Sequence, residues 1–523
     1  MKNHRLPLYL ILLPVYFILF LFTKNIHDLR AIDLVRPVVL SIILVGILYG
    51  ISFAILRHTG RSALLTFILW TIFSLYGHVY GLLKAAPAPV NILGKHSILM
   101  VLTLLILIVL VVVVVRTKKN LSTLSLSISI ILAALILFQL FNLASYYLGQ
   151  PQQVFSSQTS THPTPKRVVP LNAANIKAKP DIYYIILDTH FRNDAIKKYI
   201  NIDTTPFLDA LRQRGFYIGT CSTSNYPFTT VSLSSSLNMD FVQDLDPRFV
   251  PDNESNAMMD DYIIHSKVRS TLESIGYKTY SFATGFAFSE FKDAYEYMAP
   301  PEPSLLSPNV QPFEAMWFKT TALRALFDIH PPVISTWLNN LSFPYSAHVA
   351  REEYLLNTLP QLAAQPGPKF VFAHVIIPHV PLVFRADGSV TTDDRYFRET
   401  FDQPSSTEYL IDGYKNQVEF IDQRMLPIVD EILRNSAQPP IIIIQGDHGL
   451  QYFDPFPILN AYYLPGNGSQ DLYPSISPIN SFAVIFNHYF GAQLALKPDN
   501  SFLSTYTRPY DFSAVTDKPC PLP

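Results

Sequence analysis

Cysteine is nearly absent from this chain, with Cys221 and Cys520 the two present among 523 residues. That scarcity excludes a Cys-rich zinc module. It leaves open either one bridge that ties the C-terminal tail down or two free thiols. A charge excess is missing as well. The 39 Lys and Arg residues nearly balance 40 Asp and Glu, and nothing in that balance argues for a nucleic-acid partner. The long apolar runs before Gln150 contain almost no charge, so they lack the polar path a transporter needs. No small-residue cleavage site follows Phe22, which argues against a removable signal peptide. No internal repeat is present.

What is there divides the chain. Crossing a bilayer as a helix takes roughly 20 apolar residues, and five segments are candidates: Leu6–Phe22, Pro37–Leu56, Ala63–Leu83, Ile98–Val115 and Leu124–Tyr146. They predict an N-terminal five-helix transmembrane bundle over residues 1–148. With the N-terminus inside, the cytoplasmic segments carry Lys2, Arg5, Arg57, Arg61, Arg116, Lys118 and Lys119. The opposite ones carry Lys24, Arg30, Arg36, Lys84 and Lys95. The excess follows the positive-inside rule and places everything after Tyr147 outside the cytoplasm. Residues 149–180, rich in Gln, Ser, Thr and Pro, read as a linker. Residues 181–515 read as one large α/β domain with a mostly parallel central sheet, and 516–523 as a tail.

Four stretches of that domain carry chemistry. Ile441–Ile444 is a β-branched run of a strand buried on both faces, and it leads into Gln445-Gly446-Asp447-His448-Gly449. Ile182–Leu187 is built alike and ends at Asp188. Ligands of open α/β sheets sit beyond the carboxyl ends of strands, where carboxylates and imidazoles suit a divalent metal. The plain alternative is a pair of strand-end turns with local hydrogen bonds. Lys369–Val375 is a third strand, followed by His379 between Pro378 and Pro381. His374, within the apolar run, reads as a satisfied core residue. Pro227 and the hydroxyls after it predict a helix start near Thr229, with Thr230 adjoining. Thr229 can cap that helix, or act as a nucleophile if a metal lowers the pKa of its hydroxyl.

Two further stretches bear on the architecture. Tyr414, Val418, Ile421, Met425, Ile428 and Ile432 recur at helical spacing between Gly413 and Gln438-Pro439-Pro440, predicting a helix that leads into the Ile441 strand. Residues 299–346, rich in proline and aromatics, read as an excursion from the sheet. It could rest on a membrane surface or shape a pocket, with ordinary packing the simplest reading.

Asp188, Thr229, His379 and Asp447-His448, in that order at strand and helix ends, resemble the alkaline phosphatase and sulfatase superfamily. The layout of spans, linker and catalytic domain is similar to its membrane-anchored branch, the lipoteichoic acid synthases and lipid A phosphoethanolamine transferases. The resemblance implies one divalent ion, Mn2+ or Zn2+, held by Asp188, Thr229, Asp447 and His448. It implies a Thr229 alkoxide that takes a phosphoryl-type group as a phospho-threonine, with His379 beside the transferred group. The substrate expected is a phospholipid head group or an envelope glycan, and the location a bacterial-type inner (plasma) membrane, multi-pass. A simple phosphate or sulfate ester hydrolase and an inactive glycan-binding relative are the alternatives. The chain departs from the family in three places. No Cys or Ser is followed by x-Pro-x-Arg, the formylglycine signature, and Cys221 is followed by Ser-Thr-Ser. Val375 stands four residues before His379 where two-metal members have Asp, which favours a single ion. Thr189 and His190 follow Asp188 where many relatives differ.

Overall fold

The computed structural model describes residues 7–26, 31–149, 167–171, 176, 178–253, 257–301, 310–329, 345–391, 393, 395–396, 404, 406–516 and 520. They fall into two compact units, one of residues 1–160 with 302–344 and one of 161–301 with 345–523.

The first unit contains five apolar helices, Tyr9–Lys24, Val35–Leu56, Thr59–Ala85, His96–Arg116 and Ser122–Gly149. Four of them are long and apolar enough to cross a membrane. The first has 16 residues, a rise of about 24 Å against a hydrocarbon core of about 30 Å. Four of the five expected spans thus meet that length and composition among the described residues, and the first is a shorter apolar helix; residues 1–6 lie outside the described residues.

Residues 302–344 of the excursion expected at 299–346 belong to this unit, and the described part is ordinary packing, against the apolar helices. Pro312 opens the helix Pro312–Thr320, whose capping box joins Gln311 and Glu314. Phe313 and Trp317 are buried among Tyr9, Leu13, Phe22 and Trp70. Arg36 pairs with the buried Glu314 at 3.0 Å, and Ala322 N donates to Phe73 O at 2.8 Å. A second short helix, Leu323–Ile329, supplies Asp328, which accepts from His96 Nε2 at 2.9 Å. Phe22, Arg36, Phe73 and His96 are spread over four helices, yet each lies toward the end expected to face away from the cytoplasm. Local periodicity cannot show such contacts, because the partners are separated by more than two hundred residues.

The second unit is built on a seven-stranded sheet. Its strands are β1 (Ile182–Leu187), β2 (Tyr217–Ile218), β3 (Lys278–Phe282), β4 (Glu296–Met298), β5 (Lys369–Val375), β6 (Ile441–Gln445) and β7 (Asn460–Tyr463). Their order is β2-β7-β6-β1-β5-β3-β4. β1 lies parallel to both β5 and β6, β3 is parallel to β5 and β4, and only β7 and β2 run against their neighbours. The sheet is thus mostly parallel, as expected. Register fixes the site: Leu187 stands opposite Val375 and Ile186 opposite Gln445. The residues after these three strands therefore emerge together at one edge. Every residue of β1, β5 and β6 is buried, which is why their runs are apolar without alternation. A separate hairpin pairs β8 (Ser501–Thr505) with β9 (Arg508–Val515).

Three sequence expectations change in detail. The helix expected after Gly413 runs Thr407–Asn435 and contains that glycine. A Cβ there would lie 2.6 Å from Leu382 Cδ1, so the glycine permits close packing and does not mark a boundary. Within the stretch read as a linker, Val169 is buried and its N donates to Thr271 Oγ1 at 2.9 Å. Cys221 and Cys520 form a disulfide, with Cα atoms 5.1 Å apart, so the two-thiol alternative falls.

Candidate active site and metal centre

Asp188, Asp447 and His448 are fully buried at the sheet edge, and one donor atom from each lies within 4.8 Å of the others. The loops carrying them are locked together by backbone. Gly446 has no room for a side chain, since a Cβ would stand 2.4 Å from His190 O; at Gly449 it would meet Phe191 Cε1 at 2.4 Å. The glycines of Gly-Asp-His-Gly are therefore required by the approach of the loop that follows β1. Ser224 and Ser232 both donate to the Asp447 carbonyl at 2.7 Å, which accounts for the serine-rich stretch after β2.

Thr189 takes the left-handed conformation, φ 64°, rare and costly for a β-branched residue. Three bonds hold it there. Its N donates to Asp447 Oδ1 at 3.0 Å, its Oγ1 donates to Asp188 O at 2.6 Å, and its carbonyl accepts from Tyr414 Oη at 2.8 Å. His190 faces Phe191 O with Nδ1 and Asp422 Oδ1 with Nε2, at 3.0 and 2.9 Å. The Thr189-His190 departure is thus a clamp that joins the Asp188 loop, the Asp447 loop and the helix Thr407–Asn435.

The polar atoms left over point to a cation. Asp188 Oδ1 and Asp447 Oδ2 are buried and have no hydrogen-bond partner, an arrangement that is costly unless a positive group completes it. His448 Nδ1 donates to Gly449 O at 2.7 Å, which leaves the Nε2 lone pair to face Thr229 Oγ1 at 3.2 Å, with Asp188 Oδ1 at 3.9 Å and Asp447 Oδ2 at 3.5 Å. Two carboxylates and one imidazole fit a hard or borderline divalent ion. Burial opposes ionisation of Asp188, but His379, His374 and His448 outweigh it and hold its carboxyl down at about 2.

Thr229 is the first residue of the helix Thr229–Ser236, and Phe228 is its N-cap with no side-chain cap bond. The capping reading therefore fails. Thr229 Oγ1 lies 3.2 Å from His448 Nε2, beside the carboxylates. His379 is not in the three-residue cluster; it is half-buried in the loop after β5, with Nδ1 donating to Val380 O at 2.6 Å. The buried Gln417 holds that loop by donating to Pro378 O and His379 O.

Two residues beside the site make contacts that the sequence does not show. His374 is buried, but Nε2 donates to Asp188 Oδ2 at 3.1 Å, so it orients a candidate ligand and is more than a core residue. Its place at the penultimate position of a strand aligned with β1 was the available signal. Glu352, on the helix Ser346–Thr358, is buried with Oε2 accepting from Ile376 N at 3.1 Å and Oε1 without a hydrogen bond, 3.9 Å from His348 Nδ1. Nothing in its helical sequence marks it. Burial pushes its carboxyl up to about 8, against the opposing pull of Arg351 and the Ile376 N–H. The folded state then holds this proton more tightly than the unfolded chain does. Its stabilising effect is complete below the ordinary value of 4.5 and is lost as pH rises toward about 8. We expect Glu352→Gln to flatten the pH dependence of stability across that window, where the slope per group reaches about 1.4 kcal/mol per pH unit. Denaturant melts of both proteins from pH 5 to 8 measure this, and parallel curves would show that Glu352 ionises normally.

A family model described as Sulfatase matches residues 180–482, more than half of the chain. No curated protein matches the sequence. Among solved structures, the chain is similar to the C-terminal periplasmic domain of EptC from Escherichia coli in complex with Zn. Identity is 13%, coverage 66% of this chain and 95% of that one, and the TM-score 0.41. It is also similar to the integral membrane lipooligosaccharide phosphoethanolamine transferase A from Neisseria meningitidis (13%, 92% and 95%, 0.38). A third is the lipoteichoic acid synthase LtaP from Listeria monocytogenes (13%, 64% and 81%, 0.36).

Proposed function

Since the chain belongs to the sulfatase family, we propose that it is a membrane-anchored phosphotransferase that moves a phosphoryl-type group from a phospholipid head group or envelope glycan through a covalent Thr229 intermediate. The observation that carries this reading is the convergence of Thr229 Oγ1, His448 Nε2 and the two unpartnered carboxylate oxygens at one sheet edge. A threonine stands where formylglycine members need a modified Cys or Ser, so the nucleophile here is an ordinary hydroxyl.

Asp188, Asp447, His448 and Thr229 would hold one Mn2+ or Zn2+. Such an ion supplies a lowered hydroxyl pKa and offsets charge on phosphoryl oxygens. The protein does the rest. Thr229 sits on a helix start, where the unsatisfied N–H groups of the first turn favour phosphoryl oxygens. Thr229 Oγ1 gives up its proton to solvent and forms the new bond to phosphorus as the bond to the leaving alkoxide breaks. His379, its ring set by Val380 O, delivers a proton to that alkoxide. An acceptor hydroxyl or water then releases the group and restores the threonine. Incubating the purified full-length chain with a head-group-labelled phospholipid tests this. Metal-dependent transfer of label to an added hydroxyl acceptor is expected. Release to water that the acceptor does not alter would make the protein an ester hydrolase instead, and no turnover with either metal would sink both readings.

The catalytic unit is proposed to lie outside the cytoplasm of a bacterial-type inner membrane, on the strength of the basic residues Arg57, Arg61, Arg116, Lys118 and Lys119 at the opposite helix ends. A reporter active only outside the cytoplasm should work when fused after Tyr147 and be silent when fused at Lys119. The reverse pattern would overturn the assignment.

A further inference from the structure

We propose that the first unit carries a cleft for the phosphate of an anionic membrane phospholipid, formed where the helix Pro312–Thr320 meets the helix Thr59–Ala85. The cleft holds about 370 Å3 and is walled by Gly77, His78 and Gly81 on one side and Lys319, Thr320 and Arg324 on the other. Its shape follows from two glycines. At Gly77 a Cβ would stand 2.4 Å from Lys319 O, so only glycine lets the short helix close in; at Gly81 nothing lies within 4 Å, so the space stays open.

The cleft is positively charged beyond its local compensation. Arg324 pairs with Asp328 at 3.3 Å, a carboxylate already shared with His96, and lies 4.8 Å over the ring of Tyr80. Lys319 also borders the space, and among the described residues no ion pair engages its ammonium. Two cations and one carboxylate leave a net positive charge for an anion to balance, and Thr320 adds polar groups at the wall.

Depth and flank favour a lipid as the source. The helix Thr59–Ala85 has 27 residues, about 40 Å, so its last turns outrun a hydrocarbon core of about 30 Å and stand among head groups. Leu75, Val79 and Leu82 are exposed on this helix, Leu82 by 74%, and their spacing puts them on one face. Acyl chains can lie along that stripe while the phosphate enters the cleft. A phosphodiester with an uncharged head group matches the net positive charge better than one that carries its own ammonium. This inference stands on the membrane helices and is independent of the reaction assigned to Thr229.

The test is lipid titration of the full-length chain in neutral detergent, read as bound lipid by native mass spectrometry. Probes are phosphatidylglycerol, phosphatidylcholine and inorganic phosphate. Saturable phosphatidylglycerol binding is expected, weakened at least about tenfold by Lys319→Gln, which removes a charge-assisted contact. Gly81→Leu fills the cleft without touching a charge and should weaken binding comparably; it decides the matter if Lys319→Gln does not fold. Equal affinity for phosphatidylcholine, equal affinity for inorganic phosphate alone, or wild-type binding by the Gly81→Leu protein would each overturn the proposal.

Discussion

Thr229→Ala should lose several orders of magnitude in turnover while the protein stays folded and retains its capacity for metal. The structure makes the two halves of that expectation separable. A threonine that capped its helix would cost about 1 kcal/mol or more when truncated, but Phe228 occupies the cap and the Thr229 hydroxyl makes no capping bond. What the hydroxyl does reach is His448 Nε2, at 3.2 Å. The stability loss should thus be that of one hydrogen bond, about 1 kcal/mol, whereas loss of a nucleophile removes the covalent step. Thr229→Ser keeps the hydroxyl and should retain part of the activity. Thr230→Ala controls for the adjoining residue and should turn over nearly as the parent does. Mass spectrometry of enzyme quenched during turnover should find an adduct on Thr229. Normal turnover by Thr229→Ala would refute the mechanism.

How much of this was legible in the sequence depends on the distance between partners. The Ile182 and Ile441 runs announce buried parallel strands because each is apolar at every position, and their terminal Asp residues announce the site because a parallel sheet collects strand ends. Thr229 was legible only as one of two roles, and the structure removes the capping one, since Phe228 is the N-cap. His374 was legible as a buried, satisfied residue, but its partner was not: the bond to Asp188, 186 residues away in sequence, is what makes it an orienting histidine as well. Glu352 gave no signal, since its partner is a backbone N–H on another element. The segment 299–346 was legible as rich in proline and aromatics, but the docking of its described part on the apolar helices depends on Gly77 and Arg36, which look unremarkable where they stand.

The clamp around Thr189 shapes the candidate metal site. A β-branched residue held at φ 64° costs on the order of 1–3 kcal/mol, and the bonds to Asp447, Asp188 O and Tyr414 keep it there. The arrangement aims Asp188 and Asp447 at a common point before any ion arrives. Preorganisation of two carboxylates is unfavourable alone, because like charges share a buried site. The site is therefore poised to gain most from a cation.

Asp447→Asn tests that poise directly. Only one of the two Asp447 carboxylate oxygens is engaged locally, with Oδ1 accepting from Thr189 N, while the backbone carbonyl accepts from Ser224 and Ser232. An asparagine keeps an amide oxygen for Thr189 and leaves the backbone bonds intact, so the loop should hold its shape. Oδ2, the unpartnered atom, becomes an uncharged NH2 that cannot ligate. Metal content measured by elemental analysis should fall well below one ion per chain, and turnover should drop by orders of magnitude. Stability adds a second readout. For the parent, chelation should lower stability by the linkage term, about 2.7 kcal/mol where free metal stands at a hundredfold over Kd. For Asp447→Asn the same chelation should change the melt little. Without metal the variant should be the more stable of the two, since it no longer confines two negative charges. An Asp447→Asn protein with full metal occupancy and the parent's response to chelator would remove Asp447 from the ligand set.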